Sequence, residues 1–188
     1  LQYKGIGTFT ITNDMNLGGT SSLYFAYGDS STGKIRIAIT RDLNINGNTT
    51  VYGAYTSGAF TLRAGRNLTL TQGKFSGQNY SLNAQVDSII IGTAFLFNSA
   101  IASDYFKANR SAGNTIVTSS TFSVLNSGTG YGQGIALVDS GAANLSFITS
   151  QFTINAGKFC GILSGSGTLT FNCSGAIDMN GGIFRGNE

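Results

Sequence analysis

IRIAITRDLNING (Ile35–Gly47) and FTLRAGRNLTLTQGKFSG (Phe60–Gly77) are two copies of one pattern. An alternating apolar run meets a polar corner, a second alternating run follows, and an Asn-Gly or Gln-Gly pair stops it. Alternation with period two puts successive side chains on opposite faces, the mark of a half-buried strand. Ile37 stands six residues before Leu43, and Leu62 six before Leu68. Two strands joined by a corner of constant length read as part of one rung of a coil.

The pattern extends over the whole chain. The first inward residue of each second run serves as an anchor: Met15, Leu43, Leu68, Phe95, Phe122, Phe152 and Ile177. The steps between anchors are 28, 25, 27, 27, 30 and 25 residues. Six residues before each anchor stand Phe9, Ile37, Leu62, Ile89, Ile116, Ser146 and Phe171. Ser146 is polar between Leu145 and Phe147, which marks a rung slipped by one. Two residues after each anchor stand Leu17, Ile45, Leu70, Phe97, Val124, Ile154 and Met179, all apolar.

A third run follows each Gly-rich stop. These runs are SSLYFAY from Ser21, TTVYGAY from Thr49, GKFSG from Gly73, AIASDYF from Ala100, GIALVDS from Gly134, GKFCG from Gly157 and GGIFRG from Gly181. Three strands in about 27 residues predict one turn of a parallel β-helix. The expected fold class is all-β, a single-domain parallel β-solenoid over residues 1–188 with about seven rungs. At ~4.8 Å per rung that is a rod roughly 35 Å long. A hairpin array would show tight two-residue turns and would not hold a six-residue offset across a corner.

Composition agrees. Gly supplies 27 of 188 residues and Pro none, so corners are permitted and no ladder donor is deleted. A hydrophobic share of 41% with 10% charge argues against disorder. No stretch is long and apolar enough to cross a membrane as a helix. The net charge of +3 is spread over scattered Lys and Arg without a basic run, so neither nucleic acid nor membrane insertion is expected. The absence of His excludes Ser-His and Cys-His nucleophile systems. GTGYGQG (Gly128–Gly134) has glycines at cofactor-like spacing but opens no helix, so it lacks the amide cluster a pyrophosphate needs. No catalytic set, cofactor or metal site is expected.

Several residue groups are candidate surfaces. Tyr24 and Tyr27 in LYFAYG align one rung from Tyr52 and Tyr55 in VYGAY. An exposed aromatic strip of this kind suits a sugar or a neighbouring protein rod, while edge packing of the coil wall is the plainer reading. Asn46, Asn98, Asn155 and Asn180 fall three residues after their anchors and read as a structural amide ladder, with a ligand-binding row as the alternative. Asp14 and Asp42 with Arg41 and Arg66 read as a solvated, mutually neutralising corner, not a cation site. Asp104, Lys107 and Arg110 are the one loose acid-base grouping, and they read as a surface loop. Cys173 is in phase with inward Phe171, whereas Cys160 points outward or into a corner, which favours two free thiols over a disulfide.

ITRDLNINGNT (Ile39–Thr49) and LRAGRNLTLTQGKFSG (Leu62–Gly77) resemble repeats of filamentous haemagglutinin-type adhesins and of autotransporter passenger domains of Gram-negative bacteria. The resemblance covers those two rungs closely and the rest by pattern. It implies a secreted or surface-displayed right-handed β-helix used for adhesion or as a structural rod. That family supplies no catalytic residues to carry over.

The chain begins at Leu1, which fits a processed protein or a segment of a longer one. Neither LQYKGIGTFTIT nor GGIFRGNE reads as a polar cap, and an uncapped coil offers unpaired strand edges. The expected function is an extracellular structural or adhesive solenoid that is not an enzyme, stacking end to end into a filament or forming part of a longer surface rod. A host surface or a glycan is the expected ligand class. The alternative is a polysaccharide lyase or hydrolase, or a glycan-binding phage tail-fibre module, on the same scaffold.

Overall fold

The computed structural model describes residues 6–26, 34–54, 58–78, 84–109, 114–138, 140 and 142–187. The chain winds through repeated triplets of strands. The first coil holds β1 (Ile6–Ile11), β2 (Met15–Leu17) and β3 (Ser22–Ala26). The second holds β4 (Lys34–Ile39), β5 (Leu43–Ile45) and β6 (Thr50–Ala54). The third holds β7 (Gly58–Ala64), β8 (Leu68–Leu70) and β9 (Lys74–Gln78), and the fourth β10 (Ala84–Ile91), β11 (Ala94–Asn98) and β12 (Tyr105–Asn109). In the next two coils the first two strands fuse: β13 (Asn114–Asn126) precedes β14 (Gly134–Val138), and β15 (Asn144–Ile154) precedes β16 (Lys158–Ile162). The last described coil holds β17 (Leu169–Cys173), β18 (Ile177–Met179) and β19 (Ile183–Asn187).

Each strand pairs in parallel with its equivalent one coil away, and the third strands stack in the order β19-β16-β14-β12-β9-β6-β3. The first and second strands form one sheet because β13 and β15 bridge them. No α-helix occurs among the described residues. The fold is a β-solenoid of about six turns, close to the seven rungs expected.

The interior is a set of columns. Met15, Leu43, Leu68, Phe95, Phe122, Phe152 and Ile177 lie in register, as do Leu17, Ile45, Leu70, Phe97, Val124, Ile154 and Met179. The third sheet adds Leu23, Val51, Phe75, Phe106, Ile135, Phe159 and Phe184. Rings stack between coils: Phe95 on Phe122 at 4.2 Å, Phe75 on Phe106 at 5.0 Å, and Phe159 on Phe184 at 5.1 Å. Burying one such side chain stabilises by ~1.5–3 kcal/mol. An exposed ion pair contributes only ~0–1 kcal/mol. The columns, not the corner charges, therefore hold the coil together.

One column differs from expectation. The file is Phe9, Ile37, Leu62, Ile89, Val117, Phe147 and Phe171. Val117 and Phe147 are fully buried, while Ile116 is 46% exposed and faces outward with Ser146. The corner explains this. Thr40, Arg41 and Asp42 turn the second coil, but only Ser120 and Thr121 separate inward Ser119 from Phe122. The amides of Ser120 and Thr121 both donate to the Thr93 carbonyl, at 2.9 and 3.0 Å. The missing residue is absorbed there, the strand runs through, and the inward phase shifts by one.

Candidate functional site

Tyr24 and Tyr52 sit half-buried in register on the outer row of β3 and β6. Their rings stack with centroids 4.9 Å apart and planes 14° from parallel. One face of each ring is thus occupied by the other, which favours packing along the wall over a sugar platform. Tyr27 and Tyr55 lie outside the described residues. The same row continues through Ser76, Lys107, Ala136, Cys160 and Arg185.

Of the expected Asn row, Asn180 Nδ2 donates to Asn155 Oδ1 at 2.9 Å. Asn98 is the backbone register partner of Asn126 across a bulge, and the backbone N–H of Asn46 donates to the Leu17 carbonyl. Further amide rungs lie elsewhere: Asn44 Nδ2 donates to Asn16 Oδ1 at 2.8 Å, and Asn144 Nδ2 to Asn114 Oδ1 at 3.3 Å.

At the first corner, Arg66 holds Asp42 through Nη2–Oδ2 at 2.5 Å and Nε–Oδ1 at 3.2 Å. Asn67 donates to Asp42 Oδ1 from both backbone and side chain, at 3.1 Å each. Arg41 Nε lies 3.3 Å from Asp14 Oδ1. Burial pushes the Asp42 carboxyl up, but the Arg66 and Asn67 hydrogen bonds and the charges of Arg66 and Arg41 outweigh it and hold the pKa below 3.8. This is a neutralised corner whose partners lie one coil apart.

Asp104 is 1% exposed, not on a surface loop as expected. Its Oδ2 accepts from the Gly73 amide at 2.8 Å and from Ser99 Oγ. Gly73 has φ +111°, and a Cβ there would lie 2.6 Å from the Thr49 carbonyl, so the corner needs glycine. Lys107 Nζ lies 4.9 Å from the Tyr105 ring centroid, within β12, and Arg110 lies outside the described residues. Asp104 therefore ties two coils together, and Lys107 lies on the outer row of β12. Among the described residues no group of three or more acidic or cysteine side chains gathers to hold a metal.

GTGYGQG leads into strand β14, not a helix. With Ser127 it forms a flap over the third sheet. Lys158 Nζ donates to the Gly130 carbonyl at 2.7 Å, Gly130 N–H donates to Gln133 Oε1 at 2.9 Å, and Lys158 N–H donates to Ser127 Oγ at 2.9 Å. Every residue of β14 and β16 is buried, including outward Ala136, Lys158 and Cys160. A Cβ on Gly132 would lie 3.7 Å from Lys107 Nζ and 3.8 Å from Leu163 Cδ2, which places the flap against those side chains. Cys160 is thus outward yet covered. Cys173 packs against the core from the inner face, and the two cysteines are not joined by a disulfide.

Two clefts lie along the first corner. Ala38, Ile39, Thr40, Arg63 and Gly65 line the first, about 230 Å³. Ile90, Gly92, Thr118, Ser120, Ile148, Ser150, Asn172 and Ser174 are among the residues lining the second, a groove of about 670 Å³. Small residues keep the corner low. A Cβ on Gly65 would collide with the Thr40 carbonyl, and one on Gly92 with the Gly65 carbonyl. The groove offers hydroxyls and an amide beside Ile90 and Ile148, which are 37% and 43% exposed.

Sequence reasoning missed both the flap and the groove. The flap's signal was the longest anchor step, 30 residues from Phe122 to Phe152. The signal of the two clefts was the periodic file of small residues at Thr40, Gly65, Gly92, Ser120, Ser150 and Ser174. No protein-family model, curated protein or solved structure matches this chain.

Proposed function

We propose that this chain is an extracellular structural and adhesive solenoid, a unit of a surface rod or filament. One observation carries the reading. Ile177 and Met179 belong to the core columns yet are 53% and 52% exposed, and Phe184 is 37% exposed. These are the positions that a further coil would cover, at ~1.5–3 kcal/mol for each side chain fully buried. Parallel ladders along the axis make a stiff spacer, and the repetition along the resembled adhesin repeats supports the same role. Negative-stain images of the purified chain, with an assay for sugars released from acidic polysaccharides, test it. Slender rods without sugar release support the reading, and released product overturns it.

Glycan binding is a second reading, favoured by the groove. Its lining carries no charged side chain and sets hydroxyls beside exposed Ile90 and Ile148, which fits a neutral linear glycan lying along the axis. An array of neutral and acidic oligosaccharides tests it. Retention of neutral chains supports it, and retention of none sinks it.

A further inference from the structure

We infer that the outer face of β4 and β7 is a binding site for an acidic polysaccharide whose charges are carboxylates, a polyuronate. The inference rests on the adhesive reading and gives it a ligand class and a place. Positive charge is unevenly spread. Residues 1–78 contain seven Lys or Arg and three Asp, whereas residues 79–188 contain four Lys or Arg and five acids. Such asymmetry along a chain points to an anionic partner for its basic part.

Winding gathers cations that are scattered in the chain. Arg36 and Arg63 stand 27 residues apart, one turn of the coil. Register pairs Arg36 with Thr61, and Ala38 with Arg63. The two arginines are thus one coil and two strand positions apart, about 8 Å between Cα atoms. Lys34 lies two positions before Arg36, roughly 7 Å away. All three are exposed. Thr8, Ala38 and Thr61 stand beside them in the outer rows, too short to cover a guanidinium. Among the described residues of the first three coils the carboxylates are Asp14 and Asp42, and Arg41 and Arg66 already hold both. The face is therefore left basic, and a polyanion complements it.

Geometry and charge spacing select the polymer. The adjoining corner shows the fork that such a guanidinium forms, where Arg66 grips the Asp42 carboxylate through two nitrogens. The first cleft lies beside Arg63 and is lined also by Ala38, Thr40 and Gly65, which leaves room for a carboxylate there. Duplex DNA carries one charge per about 1.7 Å of axis and is held by many cations at once. Single strands are held on aromatic platforms, and no described residue of β1, β4 or β7 on this outer face is aromatic. Three cations roughly 7–8 Å apart suit a polymer with one carboxylate per sugar. The groove further along the corner has no charge on its lining, so the polyanion is confined to the early coils.

Retention of the full chain on immobilised polygalacturonate tests the site. Arg36→Gln with Arg63→Gln removes the two forks and keeps most of each stem. Lys107→Gln with Arg185→Gln is the control, because it removes equal charge from the outer row of the third sheet. The dissociation constant is expected to rise about fivefold or more in the arginine pair and to stay within about twofold in the control. Salt at about 1 M, where the screening length falls to about 3 Å, should abolish retention of the native chain. No retention of the native chain, retention that survives this salt, or equal weakening by both pairs overturns the site. Duplex DNA bound as tightly as the polyuronate overturns the choice of polymer. Rods that retain no polyuronate sink the site and spare the rod reading. Sugar released from the bound polymer, with the arginine dependence intact, supports the site and sinks the adhesive reading.

Discussion

Phe95 and Phe122 stack face to face across neighbouring coils, with ring centroids 4.2 Å apart and planes 12° from parallel. Phe122 also meets Phe147 and Phe159 edge-on, at 4.8 and 5.9 Å. The aromatic file continues from here through Phe152, which meets Phe122 at 5.9 Å and Phe159 at 5.0 Å. Phe122 lies where the corner loses a residue. Phe122→Ala empties a fully buried site that rigid ladders prevent from collapsing. The expected loss is ~3–5 kcal/mol in chemical denaturation. A loss under about 1 kcal/mol would mean that the column is not a close-packed file.

Acid stability follows from Asp42. Its folded pKa is lowered from 3.8, so its contribution is present above that value and is lost as pH falls through the folded pKa. Asp42→Asn is expected to lower Tm near neutrality. The difference from the native chain should shrink as pH drops below 3.8 and vanish in stronger acid. A gap that persists unchanged under acid would assign the effect to the Asn67 hydrogen bonds instead of the charge.

Gly92 and Gly186 differ in surroundings. A Cβ on Gly92 meets the Gly65 carbonyl of the coil below, whereas one on Gly186 meets nothing within 4 Å. Gly92→Ala is expected to destabilise by about 1–3 kcal/mol, because backbone on both sides is held by the ladder. Gly186→Ala should stay within ~0.5 kcal/mol of the native chain. Parallel denaturant titrations of the two variants check this, and equal effects would rule out close coil approach at the corner.

The flap predicts unequal thiols. Cys160 is 0% exposed beneath it, while Cys173 is only partly covered. A thiol reagent should modify Cys173 first. Lys158→Met keeps the stem but removes the bond to Gly130. A charge-assisted bond contributes ~1.5–3 kcal/mol, so Cys160 labelling should rise about tenfold or more. Unchanged labelling of Cys160 would show that the flap is held by other contacts.

Much of the fold was legible in the chain. Ile37, Leu43 and Ile45, followed by Leu62, Leu68 and Leu70, keep their spacing because strand phase is set by the period-two alternation itself. Ile116 was misplaced for a reason the alternation hides. TIVTSSTF alternates equally well in either phase, and only the bonds of Ser120 and Thr121 to Thr93 select the one that buries Val117. The burial of Asp104 is hidden from the alternation because Gly73, whose amide donates to its Oδ2, lies 31 residues away and is brought beside it only by winding.

By itself the sequence determined the solenoid: a period near 27 residues, three strands per turn, and apolar columns that no single coil could bury alone. Only the tertiary structure decided where the corners shorten, that the Gly128–Gly134 segment lies back over Lys158 and Cys160, and that clefts lie along a corner kept low by small residues. The physical reason is locality. Alternation is a property of neighbours in the chain, whereas corner length and flap closure depend on hydrogen bonds between residues about 25 to 31 positions apart.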